Sequence, residues 1–344
     1  MKLLIVTQKV DSTDPILGFF HNWIKEFATH YEKIIVVCLQ KGLHDLPPNV
    51  QVLSLGKEEG TSRYSYIRKL FSYSWKYRKE YDAVFVHMNP IYLVVAGWLW
   101  MVLGKRRFLW YTHKHVDLKL EIAVFFAQAI FTASRESFQL ETKKVHVVGH
   151  GIDTELFKPF GHASHKEYFT ITSAGRISSI KNYDVMLETL LVLQKEGKNI
   201  GLEIIGAPVT DADKSYFEHL KKIVIEKNIH HVRFVGTIPN NMIGQKIAVA
   251  DLFINMSETG SMDKAVLEAM ACEVPVLTSN VAFKDILAPY NLFIKKERGE
   301  IVNRIRMMYD NQVETEAIAR NLREIVIKEH NLTRLINILI SKMK

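Results

Sequence analysis

Residues 169–195 read FTITSAGRISSIKNYDVMLETLLVLQK. Phe169–Ala174 is a short apolar run with β-branched residues, the pattern of a buried strand. Gly175 follows, where a chain can turn tightly at a strand end. Tyr183–Lys195 then has the apolar spacing of a helix. A strand, a glycine turn and a helix make the repeating unit of a parallel sheet, because parallel neighbours need a crossover.

The same alternation extends both ways. Upstream, strands are expected at Leu3–Thr7, Ile34–Leu39, Val52–Leu55, Ala83–His87, Phe108–Thr112, Ile130–Ala133 and Val145–Val148, with helices at Phe20–Ala28, Tyr64–Tyr77 and Glu121–Ala127. Downstream, strands are expected at Leu202–Ile205, Val232–Val235, Leu252–Asn255 and Pro275–Thr278, with helices at Asp211–Lys227 and Lys264–Cys272. Glycine, proline and polar residues cluster over 149–165, the mark of a linker. The fold class is therefore α/β, with two Rossmann-like, doubly wound parallel-sheet domains. The expected divisions are 1–149, 150–330 and a helical tail at 331–344. Two such domains would face each other across a cleft, with ligands outside the carboxyl ends of the strands.

The 344 residues suit two domains, and 48% hydrophobic with 24% charged residues excludes a disordered chain. The net charge of +8 is uneven: residues 1–150 carry 20 Lys+Arg against 13 Asp+Glu, the rest 25 against 24. Cys38 and Cys272 each sit in an apolar run, which reads as two core thiols in a reducing cytosol. Ile91–Leu103 is the longest apolar stretch, too short for the ~20 residues that span a bilayer. No signal peptide is read at the start. The expected location is cytoplasmic, with a peripheral place on the inner face of the membrane as an option.

Five constellations bear on chemistry. Arg176 and Lys181 flank the turn at Gly175, and a guanidinium fork with an ammonium suits a diphosphate. Solvated loop cations are the plain alternative. Gly260, Ser261, Met262, Asp263 and Lys264 lead from a strand into a helix whose first N–H groups form an anion site. Ser261 or Asp263 would cap that helix. Glu268 lies on its early turns, placed to accept from ribose hydroxyls or simply solvated. His113 ends a strand and could donate to a phosphate or sugar hydroxyl, unless it is an ordinary loop histidine. Gly18 opens a helix after the first strand, where backbone could approach a ligand.

The fifth is Arg63–Lys79, RYSYIRKLFSYSWKYRK, with six Lys/Arg, no acid and six aromatics. It reads as a face for an anionic membrane surface or as the solvated side of a core helix; nucleic acid is not expected as a partner. No strand precedes a G-x-G-x-x-G, which argues against a nicotinamide enzyme. No histidine spacing fits a zinc site, and no metal is expected.

Together, Gly175-Arg176 with Lys181, and Glu268 in LEAMA before Val274-Pro275-Val276, resemble glycosyltransferase family 4, of the GT-B fold. The linker Val148-Gly149-His150-Gly151-Ile152-Asp153 with Phe157-Lys158-Pro159 is similar to that family's linker. Phe234-Val235-Gly236 with Ile238-Pro239, then Ala250-Asp251-Leu252-Phe253, match it too. The resemblance covers nearly the whole chain. It implies a retaining, metal-independent hexosyltransferase with no cofactor, moving sugar from a nucleotide-diphosphate donor to a hydroxyl. UDP and GDP are not distinguished. A glycan or lipid-linked acceptor, and cell-surface polysaccharide synthesis, follow by the same resemblance. It gives the diphosphate to Arg176, Lys181 and backbone at Gly260–Lys264, and the ribose to Glu268. Gly206, Ile238 and Pro239 would border the base. Gly18 would approach the donor, and His113 the reacting sugar. Leu332–Met343 would cross back onto the first domain.

Two positions depart from the family pattern. Gly260 stands where the E-x7-E motif has its first glutamate, and neither Glu258 nor Asp263 has the replacement spacing. Glu273 stands where a glycine usually precedes V-P-V, at a cost of about 1 kcal/mol if the backbone is left-handed. Two other functions fit the pattern: a non-hydrolysing nucleotide-sugar epimerase, and a non-catalytic nucleotide-sugar-binding or membrane-adaptor protein.

Overall fold

Strands that are apolar along their whole length, rather than alternately, must be covered on both faces. In a computed structural model, which describes residues 1–160, 167–257 and 260–344, the chain meets that demand with two all-parallel sheets flanked by helices. The fold class is α/β with two Rossmann-like parallel-sheet units, as the alternation predicts. Residues 161–165 of the expected linker, and Glu258, lie outside the described residues.

The first compact unit comprises Met1–Gly151, Pro239–Asn241 and Asn331–Lys344. Its strands are β1 (Lys2–Val10), β2 (Lys33–Lys41), β3 (Val50–Ser54), β4 (Ala83–His87), β5 (Arg106–Trp110), β6 (Ala129–Thr132) and β7 (Val145–Val147). They lie in the order β3-β2-β1-β4-β5-β6-β7, so strand order reverses between β1 and β4. The register pairs Leu3 with Ile34 on one side and with Ala83 on the other. Helices α1 (Phe19–Ala28), α2 (Arg63–Lys76), α3 (Ile91–Val102) and α4 (Leu118–Phe126) accompany them. The apolar run at 91–103 forms α3, with Leu93, Ala96 and Trp100 in the core. Among the described residues no helix is long and apolar enough to cross a membrane.

The second unit comprises Ile152–Ile238 and Met242–His330. Strands β8 (Phe169–Ala174), β9 (Ile200–Ile205), β10 (Val232–Gly236), β11 (Leu252–Asn255) and β12 (Val276–Thr278) form a sheet in the order β10-β9-β8-β11-β12. The helices are α5 (Tyr183–Lys195), α6 (Asp211–Glu226), α7 (Asn240–Ala248), α8 (Lys264–Ala271), α9 (Lys284–Leu287), α10 (Arg298–Asp310) and α11 (Gln312–Ile325). A last helix, α12 (Leu332–Met343), belongs to the first unit and packs on α1.

Gly151 shows why that packing needs a glycine. A Cβ there would lie 2.8 Å from the Leu335 side chain and 3.0 Å from Trp23. Its carbonyl accepts from Trp23 Nε1 at 3.3 Å. The linker glycine thus seats α1 and α12 against one backbone segment. Cys38 and Cys272 are buried free thiols, each pushed up by burial to about 12.

Helix α8 ends at Ala271, is capped by Cys272, and turns at Glu273 with φ +57°. A left-handed residue just past a helix end is normally glycine, because other residues carry a Cβ clash there. The Arg323 Nε sits 3.7 Å from the Glu273 carboxylate, a partial compensation. Glu273→Gly should therefore raise unfolding stability by about 0.5–1 kcal/mol in urea titration. A loss of stability would show that the ion pair outweighs the backbone strain.

Candidate functional site

The second unit's site is built on three glycines that end adjacent strands. Gly175, Gly206 and Gly236 have φ of +143°, +137° and +81°. Gly206 N donates to Gly236 O at 2.8 Å, and Gly175 N to Ile205 O at 2.9 Å. A Cβ on Gly206 would come within 1.9 Å of the Gly175 carbonyl oxygen, so no side chain fits. The turn after β8 is thereby pressed against the end of β9.

Lys181 follows that turn. Its aliphatic chain lies beside Gly175, with Cε 3.1 Å from where a Cβ would be. Its ammonium forms a hydrogen-bonded ion pair with Asp263, both side chains largely shielded from water. Asp263 is the N-cap of α8, accepting from Ala265 N at 3.4 Å and from Asn255 Nδ2 at 2.9 Å. Burial works against its charge, but Lys181 and these hydrogen bonds outweigh it and hold the carboxyl below its usual range. Asn182, in the left-handed conformation, starts α5 and donates to Met256 O at 2.7 Å. Lys181 and the N-terminus of α8 are thus brought together, and of Ser261 and Asp263 it is Asp263 that caps.

Arg176 points elsewhere within the unit. It is exposed, with Nε 3.6 Å from Asp213 Oδ2. Asp213 forms a capping box with Thr210 at the start of α6 and accepts from Thr210 N at 2.9 Å. Gly260 has φ +69°, and the Ser261 carbonyl accepts from Asn280 Nδ2 at 2.8 Å. Met262 is buried. Glu268 is buried and paired with Lys264 one turn earlier. Burial raises its pKa, while Lys264 favours the charged form. Ile238 and Pro239 are half-buried beyond β10.

Gly18 and His113 lie in the first unit. Gly18 has an ordinary helical φ of −56°, but a Cβ would lie 2.4 Å from Asp14 O and 2.9 Å from Asn240 Cβ. Its own loop therefore requires a glycine, apart from any ligand. Asp14 holds that loop, accepting from Leu17 N at 2.7 Å and pairing with Lys9. His113 Nδ1 accepts from His115 N at 3.0 Å. In the neutral ring the proton is then on Nε2, which can donate. Burial, with His115 and Lys114 nearby, lowers its pKa and favours that neutral form.

Asn255 and Asp213 are site residues that the sequence reading missed. Thr210-x-x-Asp213 carries a capping-box signal, although nothing in it points to Arg176. Asn255, a polar residue ending the apolar run LFI, was the available hint. Among the described residues no group of three or more His, Cys, Asp or Glu is arranged to hold a metal ion.

The Lys181–Asp263 pair gives Lys181 a structural role beside any binding role. Lys181→Met strands a largely buried carboxylate, which costs about 3 kcal/mol. The double variant Lys181→Met/Asp263→Asn should recover most of that loss in urea denaturation. The Asp263 contribution should be complete above the ordinary carboxylate range and vanish as pH falls through its lowered pKa. An additive double-mutant cycle would show that the pair is not coupled.

Residues 155–325 match the family model for glycosyl transferases group 1. A D-inositol 3-phosphate glycosyltransferase of Jonesia denitrificans is 28% identical over 176 residues, 45% of this chain and 41% of the relative. The capsular polysaccharide biosynthesis glycosyltransferase CapM of Staphylococcus aureus is 26% identical over 271 residues, 71% of this chain and 67% of CapM. The chain thus spans about two-fifths of the first relative's length. In solved structures, Anabaena Alr3699/HepE in complex with UDP-glucose superposes with a TM-score of 0.78 at 18% identity, over 100% of this chain and 99% of that one. The second unit is thus similar to glycosyl transferases group 1, and the whole chain shares the two-domain GT-B fold of the solved structure.

Proposed function

We propose that the protein is a retaining glycosyltransferase that moves a sugar from a nucleotide-diphosphate donor to an acceptor hydroxyl, without a metal ion, in cell-surface glycan synthesis. The observation that carries this reading is Lys181, lying against Gly175 and paired with Asp263 at the N-terminus of α8. As the bond from the anomeric carbon to the diphosphate breaks, negative charge grows on the leaving oxygens. Fixed cations and helix N–H groups stabilise that charge more than the ground state. Lys181 has three N–H donors, and its bond to Asp263 leaves two for phosphate. Arg176 is exposed, and Asp213 orients its guanidinium from the Nε side, leaving the outer N–H groups for a diphosphate oxygen.

The other roles follow the family resemblance. Glu268, paired with Lys264, would accept from the ribose hydroxyls. Gly206, Ile238 and Pro239 would border the base, and Gly260 to Lys264 would supply backbone N–H groups. His113 would donate from Nε2 to a sugar hydroxyl. HepE was crystallised with UDP-glucose, and CapM bears a capsular polysaccharide name, which favours a nucleotide-sugar donor and a glycan product. Arg176→Ala should fold normally yet lower transfer or donor hydrolysis by about two orders of magnitude or more. A nucleotide-sugar panel read by released nucleotide diphosphate would measure this. Near-wild-type turnover by that variant would overturn the assignment, and UDP or GDP binding with no turnover across the panel would favour a sensor.

The basic surplus suits a membrane-facing role for the first unit. Helix α2 exposes Arg63, Tyr64, Ile67, Arg68, Trp75 and Lys76. Trp98, Met101 and Val102 of α3 are also exposed. Cations mixed with apolar and aromatic groups bind anionic bilayers as peripheral helices do. Sedimentation with vesicles containing anionic phospholipid should show binding that falls as salt rises. Arg68→Glu/Lys76→Glu should weaken it, and unchanged or salt-independent binding would return the face to ordinary solvated surface.

A further inference from the structure

The first unit holds a cavity of about 520 Å³, within the range of small-molecule sites. Its walls are apolar: Leu39 and Leu55 from strand ends, Leu70 from α2, and Tyr92 and Val95 from α3. Among the described residues only two charged ones line it, Arg63 and Lys119, and no acid does. Both are exposed, and neither is ion-paired among the described residues.

The position of these cations is unusual. Arg63 is the first residue of α2 and Lys119 the second of α4, while Ile91, the first of α3, also lines the cavity. Three helix N-termini therefore border one chamber. Helix N-termini carry partial positive charge, so cations there are unfavourable and acids are preferred. Helices α2 and α3 have no acid in their first turns, whereas α4 is capped by Asp117 and carries Glu121 in its first turn. An anion at this rim would pair with Arg63 and Lys119 and meet the acid-free starts of α2 and α3. A polar sugar, by contrast, would leave its hydroxyls unpaired against the aliphatic walls.

We propose that this cavity receives the hydrocarbon tail of a lipid phosphate, with the phosphate held by Arg63 and Lys119. Such a lipid would be the acceptor class of the transferase, an assignment that rests on the function proposed above. Tail binding itself does not depend on turnover. The cavity is continuous with the exposed apolar and basic face of α2 through Arg63 and Ile67, which gives a tail a route from a bilayer.

The test uses monomeric alkyl phosphates below micelle-forming concentration, titrated calorimetrically into the full-length protein. Affinity should rise about fourfold per added methylene until the chamber is full. Butyl phosphate and inorganic phosphate should bind far more weakly than dodecyl phosphate. Ile67→Trp, placed at the half-exposed entrance, should weaken dodecyl phosphate binding at least tenfold and leave butyl phosphate unchanged. Arg63→Glu/Lys119→Glu should weaken dodecyl phosphate at least tenfold and spare dodecanol. Val95→Ala enlarges the chamber and should lengthen the preferred tail, a readout that survives if Ile67→Trp folds poorly. Affinity indifferent to tail length, or unchanged in all variants, would overturn the proposal. UDP titration and donor hydrolysis on the same samples separate the two readings. Nucleotide turnover without lipid phosphate binding defeats the pocket alone, and lipid phosphate binding without nucleotide binding or turnover defeats the transferase reading alone.

Discussion

One carboxylate holds the second unit's site together. Asp263 caps α8, accepts from Asn255 at the end of β11, and neutralises Lys181 from the turn after β8. A largely buried acid survives there because its partners supply both charge and hydrogen bonds. The same carboxylate therefore sets where the Lys181 ammonium points, and so where an anion can meet it. This couples stability to function: the residue proposed to stabilise a leaving diphosphate is also the counter-charge that makes a buried acid tolerable.

Around that pair, close backbone approach does work that side chains could not. Gly206 lies against the Gly175 carbonyl at a distance that excludes any Cβ. The turn is consequently narrow, and the Lys181 side chain lies directly against Gly175. In the first unit, charge is arranged differently. Its cations sit on α2 and at helix starts, over apolar walls, an arrangement suited to amphiphiles rather than to a compact diphosphate.

The two departures from the family motif share one backbone feature. Gly260 and Glu273, either side of α8, both have positive φ, +69° and +57°. A glutamate at Gly260 would carry left-handed strain that glycine avoids, whereas Glu273 carries it and gains Arg323 as a partner. The absence of the first motif glutamate thus coincides with a conformation that glycine adopts without strain.

The alternation of wholly apolar strands with helices determined the α/β class and both parallel sheets, because a strand without polar alternation has no solvent face. Glycines after strands and the start of α8 were legible for a similar local reason: turns and caps are made by neighbouring residues. Element ends such as Ala129–Thr132 differed from the expected Ile130–Ala133 by one residue, since fraying leaves no sharp local mark. What only the tertiary structure decided were partnerships across long separations. Asp263 meets Lys181 across 82 residues, and Gly18 is confined by Asn240. The cavity needs Leu39, Arg63, Tyr92 and Lys119 at once. No local pattern encodes such meetings, because they arise from the order in which strands pair and from where each crossover returns the chain.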